Sequence, residues 1–212
     1  MSGVVLFSGG GDYVDPWHPF ADTSAVVAEV LRDDGFDVET VDRIDVLASR
    51  LAGADLLVVN AGGGPQPHPL DARLSDLIAQ SPGALLVLHV AATLLPEHPE
   101  WERRLGGRWV RGTTMHPARG PLVLTAAEAD PITEGLASIR TVDEAYSWLR
   151  VAEDARVFYT QGHAGETHPV AWAVERDGRR AAYDALGHDV EAYDAPAVRE
   201  LLRRLARWAA AC

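Results

Sequence analysis

The chain has one cysteine in 212 residues, and it is the last residue, Cys212. A disulfide framework, a cysteine-rich zinc site and a buried cysteine nucleophile are therefore excluded. Lysine is absent, so all 19 basic side chains other than histidine are arginine. Schiff-base chemistry and a phosphate-loop lysine are excluded with it. No apolar run reaches membrane-spanning length, because His89 interrupts the longest. The first residues run straight into a strand-like segment without the charged start of a signal peptide, so a cytoplasmic location is expected. Basic charge is scarce. The formal net charge of −12 argues against nucleic acid or an anionic membrane as partner, and suits a neutral small molecule or a bound cation.

What is present reads as one domain over residues 1–212, since 47% hydrophobic content over this length fills one core. Strands are expected at Val4–Ser8, Phe36–Val41, Asp55–Asn60 and Gly83–His89. Helices are expected from Asp22 or Thr23 to about Asp34, over Ile44–Leu51 and over Leu70–Gln80. This alternation predicts a parallel sheet covered by helices on both faces. After Trp101 the pattern changes. Pro121–Thr125, Arg140–Trp148, Arg156–Thr160, Val170–Glu175 and Ala181–Leu186 are strand-like with no long helices between them, and Asp177-Gly178 signals a hairpin. Pro196–Ala211 closes the chain as an amphipathic helix. Its apolar stripe at Val198, Leu201, Leu202 and Leu205 would permit a homo-oligomer, although core packing accounts for it better.

Chemistry is expected beyond the carboxyl ends of the strands. His89 ends the most hydrophobic run, and His188 ends another. Five of the 8 histidines precede proline (His18, His68, His98, His116 and His168), which holds them in extended segments or loops. His18 follows the first glycine loop, beside Trp17 and Phe20. Within Asp143-Glu144-Ala145-Tyr146, strand alternation puts Glu144 and Tyr146 on one face, and an acidic residue in an apolar run needs a partner, water or a cation. The glycine triplets at 9–11 and 62–64 match no dinucleotide fingerprint, and no Gly-x-Ser-x-Gly elbow occurs.

Several landmarks together resemble the ThuA-like family of trehalose-utilisation proteins. They are Ser8-Gly9-Gly10 followed by His18, Leu88-His89-Val90-Ala91-Ala92, Trp101, Gly106-Gly107 followed by His116-Pro117, and Pro131-Ile132-Thr133-Glu134-Gly135-Leu136. Asp143-Glu144-Ala145-Tyr146, Pro169-Val170-Ala171-Trp172 and Leu186-Gly187-His188-Asp189 complete the set. The resemblance extends to the class I glutamine amidotransferase-like superfamily. It implies a flavodoxin-like three-layer α/β/α sandwich, with a mostly parallel central sheet and extra antiparallel strands in the C-terminal half. Amidotransferases of that group carry a cysteine after a central strand, where this chain has His89, so that activity is not inherited. Two departures stand out. Asp130 replaces a histidine common in the family, and Gly178-Arg179-Arg180-Ala181-Ala182-Tyr183 differs from the usual approach to the last strand.

The resemblance implies a role in carbohydrate metabolism, on trehalose or a keto-disaccharide. The residues suit a sugar hydrolase or isomerase with His89, Glu144 and His188 as catalytic groups, and with Trp17, His18, His116, Tyr146 and Trp172 binding the sugar. A divalent metal such as zinc is a candidate cofactor, on His18, His89, His116 and His188. The alternative is a non-catalytic sugar-binding or sensing module holding its ligand between Trp17, Trp101, Trp172 and Tyr146.

Overall fold

A computed structural model describes residues 2–63, 66–81 and 83–211; Gly64 of the second glycine triplet and Cys212 lie outside them. In chain order the strands and helices begin with β1 (Gly3–Ser8), α1 (Phe20–Asp33), β2 (Asp37–Val41), α2 (Ile44–Arg50), β3 (Leu56–Asn60), α3 (Asp71–Gln80) and β4 (Ala84–Leu88). They continue with α4 (Pro99–Leu105), β5 (Gly107–Arg108), β6 (Gly120–Ala126), β7 (Ser138–Asp143), β8 (Arg150–Val151), β9 (Arg156–His163), β10 (Glu166–Arg176), β11 (Arg179–Asp184) and α5 (Pro196–Ala210).

Among the described residues, nine strands form one sheet in the order β2-β1-β3-β4-β11-β10-β9-β6-β7, while β5 and β8 pair separately. The β2, β1, β3, β4 and β11 neighbours pair in parallel. From β11 through β10, β9 and β6 to β7 every pairing is antiparallel. The flavodoxin-like sandwich with an antiparallel C-terminal extension is thus present. The parallel strands are buried on both faces, as their unbroken apolar runs require: β3 is buried throughout and β4 from Leu85 to Leu88. Asp177 and Gly178 have φ of 53° and 70°, so the β10–β11 turn is the two-residue type that matches strand twist.

Several boundaries differ from the sequence reading. Helix α1 starts at Phe20, with Pro19 at its cap, and no side chain caps it; the Thr23 hydroxyl lies inside the helix and donates to the Pro19 and Phe20 carbonyls. The strand expected over 140–148 ends at Asp143, because the Asp143 carboxylate accepts from the next amide, Glu144 N, at 2.8 Å and turns the chain out of the ladder. In α5, Val198, Leu201, Leu202 and Leu205 are all fully buried, so the core occupies that stripe and it offers no homo-oligomer face. Its arginines are paired rather than merely solvated: Arg199 with Glu29 at 2.9 Å, and Arg207 with Asp34. No helix among the described residues is long and apolar enough to cross a membrane.

The strand where parallel pairing gives way to antiparallel ends in a buried carboxylate. Asp184 is 2% exposed, and its Oδ1 accepts from Leu186 N at 3.0 Å. Burial outweighs that hydrogen bond and, with the nearby Asp143 charge, pushes the Asp184 pKa up to about 7. In the unfolded chain the group ionises near pH ~4. Between those two values the folded state keeps a proton that the unfolded state has released, so stability falls as pH rises, by roughly 1.4 kcal/mol per unit. Asp184→Asn is expected to remove this slope while keeping an acceptor for Leu186. Urea unfolding at pH values spanning this window should show the variant gaining on wild type toward neutrality, and parallel curves would refute the assignment.

Candidate functional site

The register of the central strands builds the floor of the site. Leu88 of β4 lies beside Asp184 of β11, so the residues that follow, His89 and Ala185, meet at the carboxyl edge. His89 has φ of 46°, a left-handed conformation unusual for a side chain of this size. Its backbone is held by Tyr183, whose hydroxyl donates to the His89 carbonyl at 2.9 Å. Its ring is 1% exposed, and Nδ1 donates to the Ala185 carbonyl at 2.7 Å. A carbonyl only accepts, so Nδ1 carries the proton and Nε2 is the atom presented to the site. Around Nε2 stand the Tyr146 hydroxyl at 3.0 Å and Glu144 Oε2 at 3.4 Å.

His18 arrives on the loop after β1. The Asp15 carboxylate accepts from Trp17 N at 2.9 Å and His18 N at 3.0 Å, forming a tight turn. Both oxygens of that carboxylate lie 2.8 Å from His18 Nδ1, which fixes the ring with Nε2 pointing inward. Burial pulls the His18 pKa below its ordinary value despite the carboxylate. Asp15 is held low, its hydrogen bonds and the His18 ring outweighing burial. The glycine at 62 has a steric purpose here, since a Cβ there would collide with the Asp15 carboxylate.

His188 comes from the segment after β11. Gly187 has φ of 115°, and a Cβ there would lie 2.5 Å from the Tyr193 hydroxyl, so only glycine fits. His188 Nδ1 lies 3.3 Å from Glu144 Oε1, but the two are not aligned as a hydrogen bond. Burial alone would raise the Glu144 pKa; the imidazoles of His188 and His89, with the field of His116, override it and hold the carboxyl well below the usual carboxylate range. Correspondingly, burial would lower His89, but Glu144 and the Asp143 charge raise it above its ordinary value. The two shifts agree: the carboxylate is anionic and the facing imidazole favours a positive charge.

His18, Glu144 and His188 open into a cleft of about 560 Å³, whose walls include Trp17, Val90, Thr93, Trp109, Arg111 and Tyr146, with His89 buried beneath it. That volume falls within the ~300–1,000 Å³ usual for small-molecule sites. The lining is mainly apolar and aromatic above a polar floor.

Of the residues singled out from sequence, His18, His89, Glu144, Tyr146 and His188 converge. His116 stands at the rim: its Nδ1 donates to the Pro117 carbonyl at 2.9 Å and lies 3.4 Å from Glu144 Oε1, and its ring stacks on Tyr146. It is outside the group whose ligand atoms lie within 4.8 Å of one another, which is His18, His89, Glu144 and His188. Trp172 does not face the cleft. It is fully buried, donates from Nε1 to the Leu105 carbonyl at 3.0 Å and packs on Tyr183. Trp101 is buried as well, at 1% exposure. An inward position on β10 explains Trp172, because alternation along a strand does not say which face of the sheet carries the site. Sequence reasoning missed Trp109, which makes edge contacts with His116 and Tyr146 and is anchored by its amide to the Ala92 carbonyl at 3.1 Å. The available signal was an aromatic residue between two arginines just after Gly106-Gly107. Elsewhere, His68 packs on Tyr13, His168 accepts from Trp148 N at 3.2 Å, and Asp130 caps its own turn by accepting from Ile132 N at 2.8 Å. Asp189 caps the short helical turn Val190–Asp194.

Comparison with solved structures agrees with this architecture. A ThuA-like protein from Parabacteroides merdae superposes with a TM-score of 0.77 at 20% identity, over 99% of this chain and 89% of that one. A ThuA-like protein from Bacteroides uniformis gives 0.74 at 15% identity, over 99% and 91%. A protein described as cytoplasmic, from Salmonella typhimurium, gives 0.66 at 14% identity, over 99% of both chains. At these identities the likeness establishes the fold alone. No curated protein matches the chain. The family described as "ThuA: Trehalose utilisation" matches residues 4–209, and with nearly every residue inside that match the chain belongs to the ThuA family.

Proposed function

We propose that the protein acts on a carbohydrate, trehalose or a keto-disaccharide, in the cleft above His89, as a hydrolase or isomerase and not as an amidotransferase. The observation that carries this reading is one carboxylate shared by three imidazoles. Glu144 lies 3.4 Å from His89, 3.3 Å from His188 and 3.4 Å from His116. Such a centre can take and return protons at a hydroxyl, or at the carbon beside a carbonyl, directly or with an ion polarising the sugar oxygen. The aromatic walls at Trp17 and Trp109 suit the apolar faces of sugar rings. The family's description as trehalose utilisation supports the substrate class.

For a keto sugar, the Glu144 carboxylate would accept the proton from the carbon next to the carbonyl. The electron pair would pass to the carbonyl oxygen, which takes a proton from His89 through Tyr146 and gives an enediol; return of the other enediol hydroxyl proton to His89, and of the Glu144 proton to the former carbonyl carbon, completes an isomerisation. Tyr146, 3.0 Å from His89 Nε2, lies where a proton can be relayed. The elbow residue is histidine, so the thioester route of an amidotransferase has no nucleophile there.

Removing an acid–base group should slow turnover by about 10²–10⁴-fold with little change in KM. Glu144→Gln and His89→Gln are therefore expected to lose kcat on a disaccharide that wild type converts, followed by NMR. Disaccharide binding with no turnover by wild type would leave only the sugar-binding module, and neither binding nor turnover across trehalose and its keto forms would sink the carbohydrate reading. Trp109→Ala should instead raise KM, by roughly tenfold for a lost aromatic contact, and leave kcat in place. An unchanged KM would remove Trp109 from the sugar wall.

A further inference from the structure

We infer that His18, His89, His188 and Glu144 form a binding centre for one divalent transition-metal ion of the zinc type, with Asp15 and the Ala185 carbonyl orienting two of its imidazoles. This deepens the carbohydrate reading of the same cleft and rests on it only for what the ion would polarise; with the ion bound, Glu144 and His89 serve as its ligands, and the direct proton transfer described above belongs to the ion-free centre.

The geometry is that of ligands around a point. One candidate ligand atom from each residue lies within 4.8 Å of all the others. Bonds of ~2.0–2.1 Å to a tetrahedral zinc place neighbouring ligand atoms about 3.3 Å apart. Glu144 Oε2 lies 3.4 Å from His89 Nε2 and Glu144 Oε1 lies 3.3 Å from His188 Nδ1, so an ion between the rings would meet the carboxylate through either oxygen or both. The three imidazoles do not stack on one another. Their planes are inclined by 67°, 70° and 76°, with centroids 4.8–5.5 Å apart, as rings directed at a common centre would be.

The ring orientations point the same way. His18 Nδ1 lies 2.8 Å from both Asp15 oxygens, and His89 Nδ1 is bound to the Ala185 carbonyl at 2.7 Å. Each ring thus turns its other nitrogen inward, the carboxylate–histidine and carbonyl–histidine arrangement that fixes metal-binding imidazoles. The decisive observation is two buried atoms without partners. Among the described residues, His18 Nε2 and His188 Nδ1 make no hydrogen bond, and the His18 side chain is only 9% exposed. A proton between His89 and Glu144 would satisfy those two groups and leave the other two nitrogens unserved, whereas one ion serves all four.

Three imidazole nitrogens and one carboxylate oxygen, with no thiolate, suit zinc and its neighbours better than magnesium or calcium. His18, Glu144 and His188 also line the cleft, so the ion would be reachable by a ligand entering past Trp17. His116, expected as a ligand from sequence, is replaced by Glu144.

The test is metal binding itself. Wild type purified without a metal-affinity tag and stripped with EDTA is titrated with zinc chloride and, separately, cobalt chloride. The expected result is one ion per chain, the visible spectrum of four- or five-coordinate cobalt, and shifted imidazole nitrogen resonances for three histidines in 15N-labelled protein. His18→Gln and His188→Gln should each weaken binding by at least about 100-fold. Asp15→Asn should cost about 10–100-fold by loosening one ring, and His116→Gln should leave affinity and spectrum unchanged. No stoichiometric binding by wild type, or binding indifferent to both His18→Gln and His188→Gln, would overturn the inference. If a variant fails to fold, the wild-type resonances decide: fewer than three shifted imidazoles also overturns it. Turnover by stripped protein that binds no ion would refute the metal centre and leave the carbohydrate reading standing. Stoichiometric metal with no disaccharide bound or converted would do the reverse.

Discussion

The Asp143 carboxylate ties the two halves of the molecule together. It ends β7, at the far edge of the antiparallel strands, yet its oxygens accept from Gly187 N at 2.7 Å and His188 N at 3.4 Å, on the segment that follows β11 at the sheet's centre. The same carboxylate accepts from Glu144 N at 2.8 Å. One buried group therefore sets where Glu144 leaves the strand and where His188 sits, and their side chains meet as a consequence. The arrangement carries a cost. Asp143 is 2% exposed, and burial raises its pKa against the pull of His89 and these amides. Without the carboxylate, the buried N–H groups of Glu144 and Gly187 would lose an acceptor, each costing about 1–3 kcal/mol.

The sheet supplies its chemistry from both kinds of pairing. The parallel strands deliver His89 directly from β4 and His18 through the loop after β1. The antiparallel extension delivers Glu144 and Tyr146. Strand β11 belongs to both, and its end carries Asp184, Ala185 and the turn into His188. Open α/β sheets bind ligands beyond the carboxyl ends of their parallel strands, and β1, β4 and β11 all send their following segments there. One strained residue lies at the same place. The positive φ at His89 is maintained by the Tyr183 hydroxyl on its carbonyl and the Ala185 carbonyl on its ring, two constraints that only a folded β4–β11 pair provides.

Much of this was legible in the chain. The apolar runs at Val4–Ser8, Asp55–Asn60 and Gly83–His89 mark strands buried on both faces, and a histidine at the end of such a run has few places to be except the carboxyl edge. The Asp177-Gly178 turn and the helix from Pro196 were equally local, and appear where periodicity and turn chemistry put them. What failed depended on distant contacts. The alternation that paired Glu144 with Tyr146 assumed a strand that Asp143 terminates, although both side chains still reach His89. Nothing local separates Trp172 from Trp109; the packing of β10 against Leu105 and Tyr183 sends the first inward, while the second stands at the cleft. His116 stands at the rim, its ring turned to its own Pro117 carbonyl, while Glu144 stands with His18, His89 and His188.

The elbow at His89 also decides what kind of group it can be. A nucleophile at a strand end must project into the cleft and be free to form and break a covalent bond. The His89 ring instead lies flat against Tyr146, with centroids 4.5 Å apart, and Nδ1 is committed to the Ala185 carbonyl. Only Nε2 is offered, and it faces Glu144 and Tyr146 rather than open solvent. Attack on a carbonyl carbon through Nε2 would need the substrate to displace both neighbours from a ring that is 1% exposed. An anchored imidazole suits proton transfer or ion binding, in which the ring stays still and only a proton or a metal changes partners.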